Sequence, residues 1–274
     1  MEFKTVLVDL TEDEARETRL DAALTLASWF EGRVVAVTAP GPLLDPYRSA
    51  GKETLRYLSM RADLLRQLDA AGTEALVHAV RRFGSKIDTS HLVIEQEAGW
   101  ALAQEGVTSD IILPALPGAL PGLPPLLASA AEYAMVNSGR PVLVVPPSAT
   151  IAFAGTVVVA WNGRREAARA VADAMPMLRR AARVVVKIVV ARGGASDHGG
   201  SALIRWLASH GVQATLEFDE SSSTAECLLK ALLVEKASLL VAGGYGRSRI
   251  GEMFMGGTTR TLIRNTPVPL LMSH

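Results

Sequence analysis

The sequence predicts an α/β protein made of two tandem open sheets, each mostly parallel and five-stranded, with helices on both faces. Three observations lead there. Short apolar runs alternate with amphipathic helical segments along the whole chain. The apolar runs are continuous rather than alternating, the mark of strands covered on both sides. The chain also repeats itself: "SDIILPALPG" followed by "ASAAEYAMVNSGRPVLVV" matches "ASLLVAGGYG" followed by "GGTTRTLIRNTPVPLLM" without a gap. At one constant offset Asn137 pairs with Asn265, Pro141 with Pro269 and Gly118 with Gly246.

The beginnings of the two copies match as well. "KTVLVDLTEDEARETRLDAALTLASWFEGRVVAVTA" resembles "GTVVVAWNGRREAARAVADAMPMLRRAARVVVKIVV": an apolar strand, a polar turn, an amphipathic helix and a second apolar strand. Leu20, Ala23, Leu24 and Ala27 define the buried helix face in one copy, and Val171, Ala174, Met175 and Leu178 in the other. The chain therefore divides near "PPSATIAFAG", giving a first domain over 1–148 and a second over 153–274. In the second copy strands are expected near 156–161, 183–190, 212–218, 238–242 and 268–272, with helices near 164–180, 199–210, 223–236 and 258–265. "SSST" at Ser221–Thr224 supplies an N-cap for the third of these helices. The first copy carries an extra-long helical stretch from about Arg48 to Arg82.

Composition narrows the function. Hydrophobic residues make up 49% of the 274 and charged residues 20%, enough for packed cores and against disorder. Aromatics are 5%, so the interior must be built from Ala, Val, Leu and Ile. Net charge is zero, which gives no basic face for a nucleic acid. The one cysteine, Cys227, excludes an internal disulfide and fits a cytoplasmic protein. "MEFKTVLVDL" has no secretory-leader pattern. The uncharged stretch from Ile111 to Ala131 contains Pro114, Pro117, Pro121, Pro124 and Pro125, so it reads as a loop and not a membrane span. The five histidines lack metal-ligand spacing.

Ligands of open parallel sheets sit beyond the carboxyl ends of the strands. There the second copy places Trp161, Asn162 and Gly163 after its first strand, Ile188 in its second, and a glycine segment after its fourth. That segment reads Gly243-x-x-Gly246, nine residues, then Gly256-Gly257-Thr258-Thr259. Glycine lets backbone N–H groups approach a phosphate, and a helix opening at the second cluster presents unpaired donors and partial positive charge. Arg247, Arg249 and Arg260 add charge nearby. The competing reading is a helix cap flanked by flexible turns. No GxxxxGK[ST] motif occurs, and a dinucleotide fingerprint would follow the first strand, not the fourth.

G-x2-G-x9-G followed by small hydroxyl residues resembles the ATP-binding signature of the universal stress protein family. "VVVAWNGRREAARAVADAMP" and "TPVPLLM" are similar to that family's opening and closing segments, and the two copies to its tandem form. The resemblance implies a Rossmann-like fold of the adenine-nucleotide alpha-hydrolase type. It implies ATP or a related adenine nucleotide as ligand, with a divalent cation as an optional companion. It assigns Ala160 and Asn162 to the base and ribose, Ile188 to the adenine, and Ala242 and Gly243 to the passage beside ribose and phosphates. Gly246, Gly256, Gly257, Thr258 and Thr259 form the phosphate cradle. Two positions depart from the pattern: Asn162 stands where Asp is usual, and Gly257 where Ser or Thr is frequent, so that Thr258 would supply the hydroxyl.

The first copy departs further. Ala115 stands opposite Gly243 and Ala128 opposite Gly256, with the proline-rich loop between them and no Arg or Lys from Asp110 to Glu132. Proline has no N–H to donate. Asp9 remains at the end of the first strand, yet the cradle is gone, so this copy is expected to bind no ATP.

The function expected is thus stress-response regulation by nucleotide occupancy in the C-terminal domain, with no catalytic residue assigned. A slow ATP hydrolase using Thr258 or Glu252, and an interaction scaffold with both sites vestigial, are the alternatives. Expected partners are the nucleotide, the other repeat through the strands at 142–145 and 268–272, a second copy of the chain and an unidentified protein, but no nucleic acid and no membrane.

Overall fold

The computed structural model describes residues 2–41, 55–116, 129–191, 197–245 and 257–274. The chain forms two compact units, Glu2–Arg140 and Pro141–His274. Helices and strands alternate in both, and the sheet is mostly parallel, as the apolar runs predict.

In the first unit the described elements are β1 (Thr5–Asp9), α1 (Arg16–Trp29), β2 (Arg33–Thr38), α2 (Leu55–Phe83), β3 (Asp88–Val93), α3 (Ala98–Gly106), β4 (Ile111–Leu113) and α4 (Ala130–Asn137). The strand order is β3-β2-β1-β4, all parallel. The face predicted for α1 is the buried one: Leu20, Ala23, Leu24 and Ala27 are inside. The long helix lies within the stretch expected from Arg48 to Arg82, and its first expected residues fall outside those described.

The second unit contains β5 (Val142–Val144), β6 (Thr156–Ala160), α5 (Arg165–Leu178), β7 (Arg183–Val190), α6 (Gly200–Ser209), β8 (Ala214–Glu220), α7 (Thr224–Val234), β9 (Ala237–Gly243), α8 (Thr258–Asn265) and β10 (Leu270–Ser273). Its strand order is β5-β10-β9-β6-β7-β8. All pairings are parallel except β5 with β10, where Val142 faces Met272 and Val144 faces Leu270. The strands at 142–145 and 268–272 are expected to pair the two repeats; in the structure both lie in the second unit, and their antiparallel pairing is within it.

From β6 the chain crosses to β7 on one side and later to β9 on the other. The carboxyl ends of β6, β7 and β9 therefore surround the point where strand order reverses, and a crevice opens there. α5 buries Val171, Ala174, Met175 and Leu178, as its spacing predicts. Ser223 is the N-cap of α7, its hydroxyl accepting from the Glu226 N–H, in line with the "SSST" reading.

Candidate functional site

A cleft of about 550 Å³ lies at the carboxyl ends of β6, β7 and β9 in the second unit. Its size falls within the about 300–1,000 Å³ usual for small-molecule sites. Of the residues singled out in the sequence, Ala160, Asn162, Ala242, Gly243, Gly257, Thr258 and Thr259 all line it. Segments nearly a hundred residues apart in sequence thus converge on one crevice, as the topology requires. Gly246 and Gly256 lie outside the described residues, as do Arg247, Arg249, Glu252 and the proline-rich loop from Pro117 onward.

Each lining residue has a local physical reason for its place. Asn162 follows β6, and its side-chain oxygen accepts from the Arg164 N–H at 3.0 Å. An Asp there would close the same turn, so the departure from the family pattern removes a charge and leaves the local geometry intact. Gly163 has φ +72°, and a Cβ there would come within 2.5 Å of the His198 carbonyl. The same carbonyl accepts from the Trp161 indole at 2.9 Å, fixing the indole beside the cleft.

Gly243 ends β9, where a Cβ would stand 2.5 Å from the Ala167 N and 2.9 Å from the Glu166 Cβ. Its glycine is accordingly required by the close approach of α5, a constraint separate from any phosphate. Thr259 is buried, and its hydroxyl accepts from the Tyr245 N–H at 3.2 Å. That bond ties the start of the glycine segment to the first turn of α8. Thr258, by contrast, is exposed on the cleft. Gly257 is the N-cap of α8 and offers no side-chain hydrogen bond to the helix. Among the described residues no side chain caps the first turn of α8, and Gly257, Thr258 and Thr259 line the cleft there.

Ile188 is placed differently from the expectation. Its side chain is fully buried, away from the cleft and close to Gly200 and Leu216. Lys187 and Val189 line the cleft instead. Successive side chains in a strand point to opposite faces, so a shift of one residue reverses which of them meets a ligand.

Sequence reasoning missed Lys187. It is 7% exposed. Its Nζ sits 2.6 Å from Glu217 Oε2 and 3.1 Å from Asp219 Oδ2, both on β8. Burial works against the ammonium charge, but the hydrogen bonds to Glu217 and Asp219 outweigh it and raise the pKa above the ordinary lysine value. The signal was a lone lysine inside "RVVVKIVV". Cys227 belongs to the same neighbourhood: burial, then the negative charge of Asp219, pushes its thiol pKa up, which argues against a reactive thiolate.

No family model matches the sequence, and no curated protein matches it. Solved structures do. A universal stress protein from Archaeoglobus fulgidus DSM 4304 superposes over 100% of this chain and 99% of its own, with a TM-score of 0.72 at 14% identity. A functionally unknown protein, PA1789, from Pseudomonas aeruginosa PAO1 covers 99% of this chain and 92% of its own, with a TM-score of 0.62 at 13% identity. The fold of the whole chain is that of a solved universal stress protein, in agreement with the resemblance read from the glycine segment.

Proposed function

We propose that the second unit binds ATP or a related adenine nucleotide in this cleft, and that the protein works as a regulatory module in stress adaptation through occupancy of that site. One observation carries the reading: among the described residues no side chain caps the first turn of α8, and Gly243, Gly257 and Thr258 line the cleft beside it. Backbone donors there suit an anionic tail. Val189, Leu228 and Leu262 supply the apolar lining that a base requires. The cavity is large enough for a mononucleotide.

Among the described residues no group of three or more His, Cys, Asp or Glu side chains is placed to hold a metal. A divalent cation enters this reading only as a companion of the phosphates. Cytoplasmic residence completes it; among the described residues no helix is long and apolar enough to cross a membrane.

The test is thermal unfolding and equilibrium dialysis of the full chain with labelled ATP. The expected result is a higher melting temperature at about 1 mM ATP, with label retained and no phosphate released. No shift at that concentration defeats the reading in favour of a scaffold. Steady phosphate release would instead establish the hydrolase alternative.

A further inference from the structure

The cleft has two chemically different ends. At one, α8 begins and Gly257 and Thr258 present backbone and hydroxyl donors. At the other, β7 contributes Lys187 and Val189, and α7 contributes Thr224 and Leu228. β9 and β7 flank β6, so the ends stand about 10 Å apart at roughly 4.8 Å per strand. An anionic tail at the first end leaves the second for a flat, mostly apolar group.

A buried charge at that second end needs a reason. An ammonium has three donors. Those of Lys187 meet Glu217 at 2.6 Å and Asp219 at 3.1 Å, while the nearest Glu235 oxygen, at 3.9 Å, is beyond hydrogen-bond distance. The two carboxylates hold the ammonium with two of its three donors, and Lys187 is among the residues that line the cleft. Lys187 is buried, whereas the Glu217 and Asp219 side chains are about one-third exposed, so these ion pairs lie at the edge of the packed interior. Here the neighbours along the strand are valine and isoleucine.

Resting on the nucleotide reading above, we propose that Lys187 is the residue that reads the base, donating its third N–H to an acceptor ring nitrogen of adenine seated against Val189 and Leu228. Lys187 is then a specificity determinant of the site. Glu217 and Asp219 are positioning residues that act through it.

The experiment measures the affinity of the full chain for ATP and for its 1-deaza, 3-deaza and 7-deaza analogues, each of which replaces one ring nitrogen by C–H. These are compared on the unaltered chain, Lys187→Met and Lys187→Arg. One analogue should bind the unaltered chain about 10- to 100-fold more weakly than ATP, the worth of a hydrogen bond from a charged donor. On Lys187→Met that penalty should vanish. Lys187→Arg keeps a cation facing Glu217 and Asp219 but displaces the donor, so the penalty should shrink even if the methionine variant fails to fold. Equal binding of all three analogues to the unaltered chain overturns the proposal, as does a penalty that persists undiminished in either variant. If ATP itself does not bind the unaltered chain, the nucleotide reading fails first and this inference with it.

Discussion

The two units present the same corner of the same fold with opposite chemistry. α4 and α8 are equivalent eight-residue helices, ending at Asn137 and Asn265. α4 starts at Ser129, whose hydroxyl accepts from the Glu132 N–H at 3.2 Å, and Glu132 adds negative charge to the first turn. At the matching places α8 has Gly257, with no side-chain cap, and Arg260. The neighbouring strand ends differ in the same sense. In the first unit Asp9, buried at the end of β1, accepts from the Ala115 N–H at 3.1 Å and from Thr11 at 2.8 and 2.7 Å. The fully buried Arg19 donates to the Asp9 and Thr11 carbonyls at 2.8 Å each and pairs with Asp13 at 2.9 Å. The opening segments, aligned, put Ala160 opposite Asp9 and Ala170 opposite Arg19. The first repeat satisfies strand-end donors with its own side chains; at the matching described positions the second has Ala160, Ala170 and Gly257, which bring no such side chains. A buried carboxylate disfavours a phosphate nearby, and a side-chain cap occupies a donor that an anion would otherwise use.

That contrast is breakable by mutation. The largest effect is expected at Arg19. Arg19→Ala strands a partly buried Asp13 and two carbonyls, and should cost about 3–5 kcal/mol in denaturant unfolding of the first unit, with nucleotide affinity unchanged. Next comes Gly243→Val, which forces β9 away from α5. A loss of about 1–3 kcal/mol is expected without ligand, whereas a glycine kept only for phosphate approach would leave unliganded stability alone. Smaller still, Gly257→Ser combined with Arg260→Glu gives α8 the start that α4 has. ATP affinity should fall by at least about 10-fold, or about 1.4 kcal/mol, while unfolding shows stability held or slightly raised by the new cap.

The smallest effect is in the pH dependence. Because the folded pKa of Lys187 is raised, its contribution to stability is complete below the unfolded value of about 10.4 and is lost as pH rises through the folded one. Unfolding from about pH 9 to about pH 12 should show an alkaline decline that Lys187→Met flattens.

The element sequence was legible because strands and helices here are written in local pattern, and the repeat reads each one twice. Of the glycine segment, Gly243 and Gly257 line the cleft, while Gly246 and Gly256 lie outside the described residues. The facing of β7 was not legible. A strand buried on both sides is apolar at every position, so "RVVVKIVV" carries no alternation to show that Lys187 and not Ile188 meets the cleft. The partners of Lys187 stand on β8, a separate segment, and nothing in "ATLEFDE" names them as such. Arg19 was equally opaque: an arginine is ordinarily solvated, and its burial follows from the backbone carbonyls of Asp9 and Thr11 and the Asp13 carboxylate that it meets. Gly243 could be identified as a required glycine, but the Ala167 backbone that requires it is visible only once α5 is packed.

The difference between the repeats is tested most directly by nucleotide stoichiometry, measured by titration calorimetry of the full chain with ATP. One nucleotide per chain is predicted, with binding weakened by Gly257→Ser combined with Arg260→Glu and untouched by Ser129→Ala. Two nucleotides per chain, or a single one whose affinity responds to Ser129 and ignores Gly257 and Arg260, would contradict the account.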